Sequence, residues 1–152
     1  MLVRRAILED SVAISELISR LTVKYVLPSC ESKVHHILLN SMSSKQVSNN
    51  LQNGYYYLLA ENANKQLIGV AGLKDYSHLY HLFVCDNHQG RGIAKTLWQT
   101  IKRDAERINN TKQFTVNSAI TAESVYLSFG FKRLSGIRNR DGMVDIPMTL
   151  TL

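Results

Sequence analysis

The chain is short of the features that decide a protein class at a glance. Its two cysteines, Cys30 and Cys85, lack metal-type spacing, so reduced thiols are expected rather than a disulfide framework or a zinc site. No apolar stretch approaches the ~18 residues that a bilayer-spanning helix needs. The opening Met-Leu-Val-Arg-Arg-Ala runs straight into alternating sequence without the apolar core of a signal peptide, so the chain is read as cytoplasmic and complete. Basic residues form no long run: Arg4-Arg5, Lys102-Arg103, Lys132-Arg133 and Arg138/Arg140 are scattered, and aromatics are not interleaved with them for base stacking. A net charge of +6 therefore suits an anionic small molecule as well as a polyanion. Internal repeats and low-complexity segments are absent.

What is present is globular. A length of 152 residues, with 45% hydrophobic and 20% charged content, gives one domain, 1–152, with enough chain to bury a real core. Leu2–Ala6 reads as a strand. Asp10 and Ser11 offer N-cap chemistry to a helix whose Ile14, Leu17, Ile18 and Leu21 repeat at helical spacing through about Val26, before Pro28 stops it. Val34–Met42 and Ser44–Gln52 make one or two further helices, and Asn53-Gly54 a turn. Tyr55–Glu61 and Leu67–Lys74 form a hairpin, with Gly69 and Gly72 weakening the second strand. The strand Ser77–Val84 precedes a helix over Gly90–Ile108. Phe114–Asn117 is a short buried strand, and Ala122–Phe129 a short helix that Gly130 ends. Lys132–Ile137 and Val144–Leu152 are the last strands, joined through Asn139-Arg140-Asp141-Gly142. Paired strands separated by helices predict an α/β or α+β sandwich around one mixed sheet.

The segment between Ser77–Val84 and the long helix is the most informative. Gln89-Gly90-Arg91-Gly92-Ile93-Ala94 is a glycine turn at a helix start, where unpaired N–H groups can face an anion. Its plain alternative is a βα turn that uses glycine for geometry. A Walker loop needs a second glycine after four spacer residues, directly before Lys-Ser/Thr, and this turn lacks that spacing: Lys95-Thr96 follows Ala94. A dinucleotide fingerprint needs three glycines after a first strand, whereas this element is central and has two. The turn resembles Gln/Arg-x-x-Gly-x-Gly/Ala, the pyrophosphate signature of the GNAT superfamily of N-acetyltransferases. Phe114-Thr115-Val116-Asn117-Ser118, followed by Val125-Tyr126-Leu127-Ser128-Phe129-Gly130-Phe131, resembles that superfamily's second signature. The hairpin Tyr55–Glu61/Leu67–Gly72 is similar to its upstream hairpin, so the resemblance runs from Leu2 to about Leu150.

The resemblance implies a fold: a twisted, mostly antiparallel mixed sheet of about six to seven strands, flanked by about four helices, with a V-shaped splay between two central parallel strands. It implies acetyl-CoA as co-substrate, no metal, and transfer of the acetyl group to an amine. Leu82, Phe83 and Val84 would lie along the pantetheine arm. The N–H groups of Gln89, Gly90, Arg91, Gly92, Ile93 and Ala94 would hold the pyrophosphate, with Gly90 and Gly92 allowing close approach where a Cβ would clash. Arg91 would add charge or else face solvent. Tyr126 matches the family's proton donor to the departing thiolate, or else is a packed core tyrosine. Asn117 would hold the pantetheine amides or cap a strand.

For the base, the resemblance implies a Glu or His six residues before the valine that ends the central strand, which from Val84 is His78, with His81 and Tyr80 in reserve and a water relay as the alternative. Strand alternation puts His78 and His81 on opposite faces unless a bulge breaks the parity. His35, His36 and His88 have no convincing role, and Cys85 is not placed as a nucleophile. The resemblance implies that the acceptor meets the first helices and the last hairpin, here roughly Val26–Met42 and Gly136–Asp145, where Glu31, Asp141 and Asp145 could grip a cationic amine and Tyr25, Tyr56 and Tyr76 could form an aromatic wall. Small-molecule and protein amines stay open, and a homodimer through the C-terminal strands is compatible with such a fold. Two other functions compete: a GNAT domain that binds CoA as ligand or sensor, and a basic nucleic-acid-binding module.

Overall fold

The alternating segments pair into one sheet in the computed structural model, which describes all 152 residues. Its strands are β1 (Leu2–Arg5), β2 (Tyr56–Glu61), β3 (Leu67–Lys74), β4 (His78–Val84), β5 (Gln113–Ser118), β6 (Lys132–Arg133), β7 (Arg138–Arg140) and β8 (Met143–Thr151). The order is β1-β2-β3-β4-β5-β8-β6, with β7 paired to β8, and β4–β5 is the one parallel pair. The helices are α1 (Ser11–Tyr25), α2 (His35–Asn40), α3 (Ser44–Gln52), α4 (Ile93–Asn109) and α5 (Glu123–Ser128).

Both sheet faces are covered, which is why β2 and β3 read as nearly continuous apolar runs. One face packs on α4 and α5 through Leu97, Trp98, Ile101, Phe114, Tyr126 and Phe131. The other packs on α1 and α3 through Ile14, Leu17, Ile18, Leu21 and Val47. Gly69 and Gly72 do not merely weaken β3. A Cβ at Gly69 would stand 3.0 Å from Leu97 of α4, and one at Gly72 would stand 2.4 Å from the Tyr57 ring. Each glycine is the gap into which a neighbour packs.

Most element boundaries shift by a residue or two from expectation, and a few differences matter more. There are eight strands rather than six or seven, because the expected Lys132–Ile137 strand pairs only over Lys132–Arg133 and a separate β7 forms at Arg138–Arg140. Asp141 and Gly142, with φ of 52° and 100°, make the tight turn between β7 and β8. The long helix starts at Ile93 rather than Gly90, since Gly90 and Gly92 hold φ of 76° and 79°, outside the helical region. The expected Val34–Met42 helix narrows to α2, and Ala122–Phe129 to α5.

Two irregularities in β4 set the shape of the sheet's centre. Against β3, Gly72 pairs with His81 and Leu73 with Leu79, so Tyr80 is the extra residue of a bulge. Against β5, pairing is limited to His78↔Thr115 and Leu79↔Val116. Beyond Leu79 the strands part, and the β5-facing edge of Tyr80–Val84 has no strand partner.

Candidate functional site

The parting of β4 and β5 opens a cavity of about 780 Å³. Its lining comes from both faces of the sheet: Ile93, Ala94 and Tyr126 from the α4/α5 side, and Leu21, Tyr25 and Met42 from the α1/α2 side. The opening thus passes through the sheet. Leu82, Phe83 and Val84 form one wall, and the exposed Asn117, just past the last β4–β5 pair, stands on the other.

At the Val84 end the chain turns into α4. The turn is braced at its start: Asp86 accepts from the Tyr25 hydroxyl (2.6 Å) and from Lys24 (2.9 Å), which holds its carboxyl below its ordinary pKa. The Gln89 side-chain amide donates to the Val84 carbonyl at 3.0 Å. The Gln89 N–H donates to the Asp86 carbonyl (3.3 Å), and the next N–H with a backbone acceptor is that of Thr96, to Gly92 (3.0 Å). Six consecutive N–H groups, from Gly90 to Lys95, lie between them without a backbone acceptor. They combine the unpaired donors of a helix start with the positive end of a 17-residue helix dipole. Gln89, Gly90, Gly92, Ile93, Ala94 and Lys95 line the cavity, whereas Arg91 is exposed and outside it. The glycines are needed for their left-handed φ. A Cβ at either would meet no other atom of the chain within 4 Å, so the space beside both glycines is open.

Across the cavity, Tyr126 is fixed by the end of its helix. The Phe131 N–H donates to the Tyr126 carbonyl and the Gly130 N–H to that of Leu127, each at 3.0 Å, with Gly130 at φ 97°. This is a Schellman closure, completed by the Tyr126 and Phe131 rings at 5.8 Å. Tyr126 is 7% exposed, and burial alone pushes its phenol above the ordinary value.

On the opposite face, the Tyr80 bulge breaks strand parity. Leu79 belongs to the α4-side core, yet His81 contacts Tyr57 and Phe83 of the α1-side core. His78 is paired with Thr115, its Nδ1 2.7 Å from the Thr115 Oγ1. Burial, then Lys74 and Arg138, lowers its pKa. His81 also borders the cavity but is 4% exposed, its Nδ1 2.8 Å from the Tyr57 hydroxyl. Burial drives its pKa down to about 3, which favours the neutral imidazole and weakens His81 as a base relative to His78.

Among the acceptor expectations, Asp145 borders the cavity while Glu31 and Asp141 do not. Tyr25 is on the wall, but Tyr56 packs against Tyr76 and donates to Asp104 at 2.9 Å, so those two form no acceptor wall. Lys95 is a lining residue that sequence reasoning missed, whereas Met42 and Arg140 lie inside the two segments expected to meet the acceptor, though nothing in the sequence marks them individually. The signal for Arg140 lay in the β7–β8 register: Arg138 and Arg140 share a strand face, and Asp145 lies directly opposite Arg138.

The family model for an acetyltransferase (GNAT) domain matches residues 26–152. The fold is similar to that of a GCN5-related N-acetyltransferase from Rhodopseudomonas palustris (TM-score 0.81, 17% identity, covering 99% of this chain and 95% of that one). It is similar to the PaiA N-acetyltransferase from Thermoplasma acidophilum, solved in complex with coenzyme A (TM-score 0.80, 18% identity, 99% and 98% covered). It also resembles a ribosomal-protein-alanine N-acetyltransferase from Brucella melitensis (TM-score 0.69, 21% identity, both chains covered in full at 100%). No curated protein sequence matches the chain significantly.

Proposed function

The chain belongs to the GNAT acetyltransferase family, and from that premise we propose that it is an acetyl-CoA-dependent N-acetyltransferase, passing the acetyl group directly to a primary amine in a ternary complex. The observation that carries this is the run of six unpaired N–H groups at the end of an opening between parallel strands. The coenzyme A bound by the Thermoplasma acidophilum relative supports the same ligand here.

When bound, acetyl-CoA supplies an activated thioester. The N–H groups of Gly90 to Lys95 hold its pyrophosphate, with the exposed Arg91 adding charge from outside the cavity. The unpaired edge of β4 at Leu82, Phe83 and Val84 orients the pantetheine arm by backbone hydrogen bonds, and Asn117 meets it from the other strand. The amine must lose a proton as its nitrogen bonds to the acetyl carbon, and His78 takes that proton directly or through water. The lowered pKa keeps His78 unprotonated at neutral pH. As the carbon–sulfur bond breaks, Tyr126 donates to the departing sulfur. Burial keeps the phenol protonated until then, and the same burial raises the proton affinity of the thiolate it meets. No helix is long and apolar enough to cross a membrane, and the proposed enzyme acts as one domain, 1–152, in the cytoplasm.

A thermal-shift panel followed by a thiol-release assay tests the proposal. Acetyl-CoA at a hundredfold excess over its Kd adds ~2.7 kcal/mol, which raises the Tm by about 5–10 °C for a domain of this size. A shift with nucleic acid and none with acetyl-CoA overturns it. A shift with acetyl-CoA but no thiol released by any amine leaves the CoA-sensor function instead.

A further inference from the structure

The acceptor half of the cavity is largely apolar, with neutral polar groups at Tyr25, Ser41, His78 and His81. Leu21, Leu38, Met42, Met143 and Val144 face it, and the charge comes from the β7–β8 hairpin. Asp145 is the sole carboxylate on the cavity wall, and it is already committed. Arg138 grips both of its oxygens, the second at 3.3 Å, and Arg140 donates to one at 3.0 Å. Two guanidinium groups on one carboxylate leave a net charge of +1. The Asp145 side chain is 9% exposed, whereas that of Arg140 is 55% exposed, so the excess charge is presented at Arg140. Arg140 spends one donor on Asp145 and keeps the remainder of its fork. A second cationic group on a substrate would find no free carboxylate on this wall.

Resting on the N-acetyltransferase assignment above, we infer that the acceptor is an amine bearing its own carboxylate beside an apolar body, an α-amino acid with an aliphatic or aromatic side chain, and that Arg140 recognises that carboxylate. The apolar wall receives the side chain, and the free donors of Arg140 match a planar carboxylate. A positive field reaches the base as well. The lowered pKa of His78, to which Arg138 contributes, is a second sign of that field. Asp145 positions Arg140 and does not itself contact the amine. The expectation that Glu31, Asp141 and Asp145 grip a cationic amine is replaced.

The test uses the whole chain with acetyl-CoA and matched acceptors: leucine against 3-methylbutylamine, phenylalanine against phenethylamine, and cadaverine as a dication. The carboxylate-bearing member of each pair is expected to have a kcat/KM at least about ten-fold higher, the worth of one charge-assisted hydrogen bond. Arg140→Gln narrows that ratio toward one through KM, Arg140→Lys restores part of it, and both keep the acetyl-CoA thermal shift, since Arg138 still holds Asp145. Thiol release favouring cadaverine or the carboxylate-free amines overturns the inference and leaves the acetyltransferase assignment standing. So does an unchanged ratio in Arg140→Gln. A readout free of turnover accompanies this: N-acetyl-leucine raises the Tm of the CoA-loaded wild type but not of Arg140→Gln. Equal shifts in the two proteins count against the inference, and no acetyl-CoA shift at all counts against the assignment beneath it.

Discussion

The two mouths of the cavity are built from different materials. On the α4/α5 side the working parts are main chain: a run of N–H groups, an unpaired strand edge, and a tyrosine held by two backbone hydrogen bonds at its helix end. On the α1/α2 side they are side chains that meet from distant elements: Arg138 and Arg140 on Asp145, His78 on Thr115, His81 on Tyr57. A main-chain site binds any ligand with the right phosphates, so it is suited to a shared co-substrate. A side-chain site can be rewritten residue by residue, so it is where one acceptor is told from another.

If this division holds, the largest effect comes from placing charge in the main-chain half. Gly92→Glu puts a carboxylate among the N–H groups from Gly90 to Lys95 and forces a non-glycine residue to φ 79°. Loss of the acetyl-CoA thermal shift is expected. The strain must be separated from the charge, and Gly54 provides the control: its φ is 83°, and a Cβ there also meets nothing within 4 Å, but it lies away from the cavity. Gly54→Glu should cost a similar ~1–2 kcal/mol of stability from the left-handed residue and keep the ligand shift. If Gly92→Glu still binds acetyl-CoA as the wild type does, the anion site lies elsewhere.

Tyr126→Phe comes next and separates binding from chemistry within the same half. Removing a proton donor typically costs about 10²-fold in turnover. The phenyl ring keeps the packing against Phe129 and Phe131, and the Schellman closure does not use the hydroxyl. Single-turnover rates should therefore fall by about that factor while the acetyl-CoA Kd stays within about two-fold. An unchanged rate would make Tyr126 a core residue and nothing more.

The same division explains what is legible in the chain alone. Gly90, Gly92 and Gly130 announce the main-chain half, because a left-handed residue flanking a helix is written locally as glycine. The strand order and the parallel pair come with the resemblance that those motifs carry. Tyr80 is different: its bulge depends on how β3 and β4 settle against each other, and nothing in His78-Leu79-Tyr80-His81 marks it. Period-two counting therefore puts His78 and His81 on opposite faces, when both lie toward α1. Arg140 falls inside the segment expected to meet the acceptor, yet its own role is unmarked for a related reason. Its meaning comes from Asp145 across a hairpin whose strand, β7, is expected elsewhere. Gly72 reads as a weakness because the Tyr57 ring that fills its place arrives from the neighbouring strand.

The smallest effect per step probes the side-chain half through pH. His81 titrates near 6.5 when unfolded and at about 3 when folded, so between these values the unfolded chain holds a proton that the native chain does not. Stability is then complete above pH ~6.5 and falls on acidification, by up to about 1.4 kcal/mol per pH unit for one proton. His78 adds to the slope in the same direction, since its pKa is also lowered. Asp10, Asp86 and Glu123 are lowered from 3.8, 3.8 and 4.5 and so weaken the fold only in more acid solution, which leaves about pH 5 to 6 to the two histidines. Urea midpoints across that window measure the slope. His81→Gln, which keeps a polar partner for the Tyr57 hydroxyl, should flatten it by up to one proton, and His78→Gln should flatten it by less because His78 is more exposed. A slope that His81→Gln leaves untouched would mean that His81 takes up its proton in the native protein, and the α1-side mouth would then be wetter and more cationic than its packing implies.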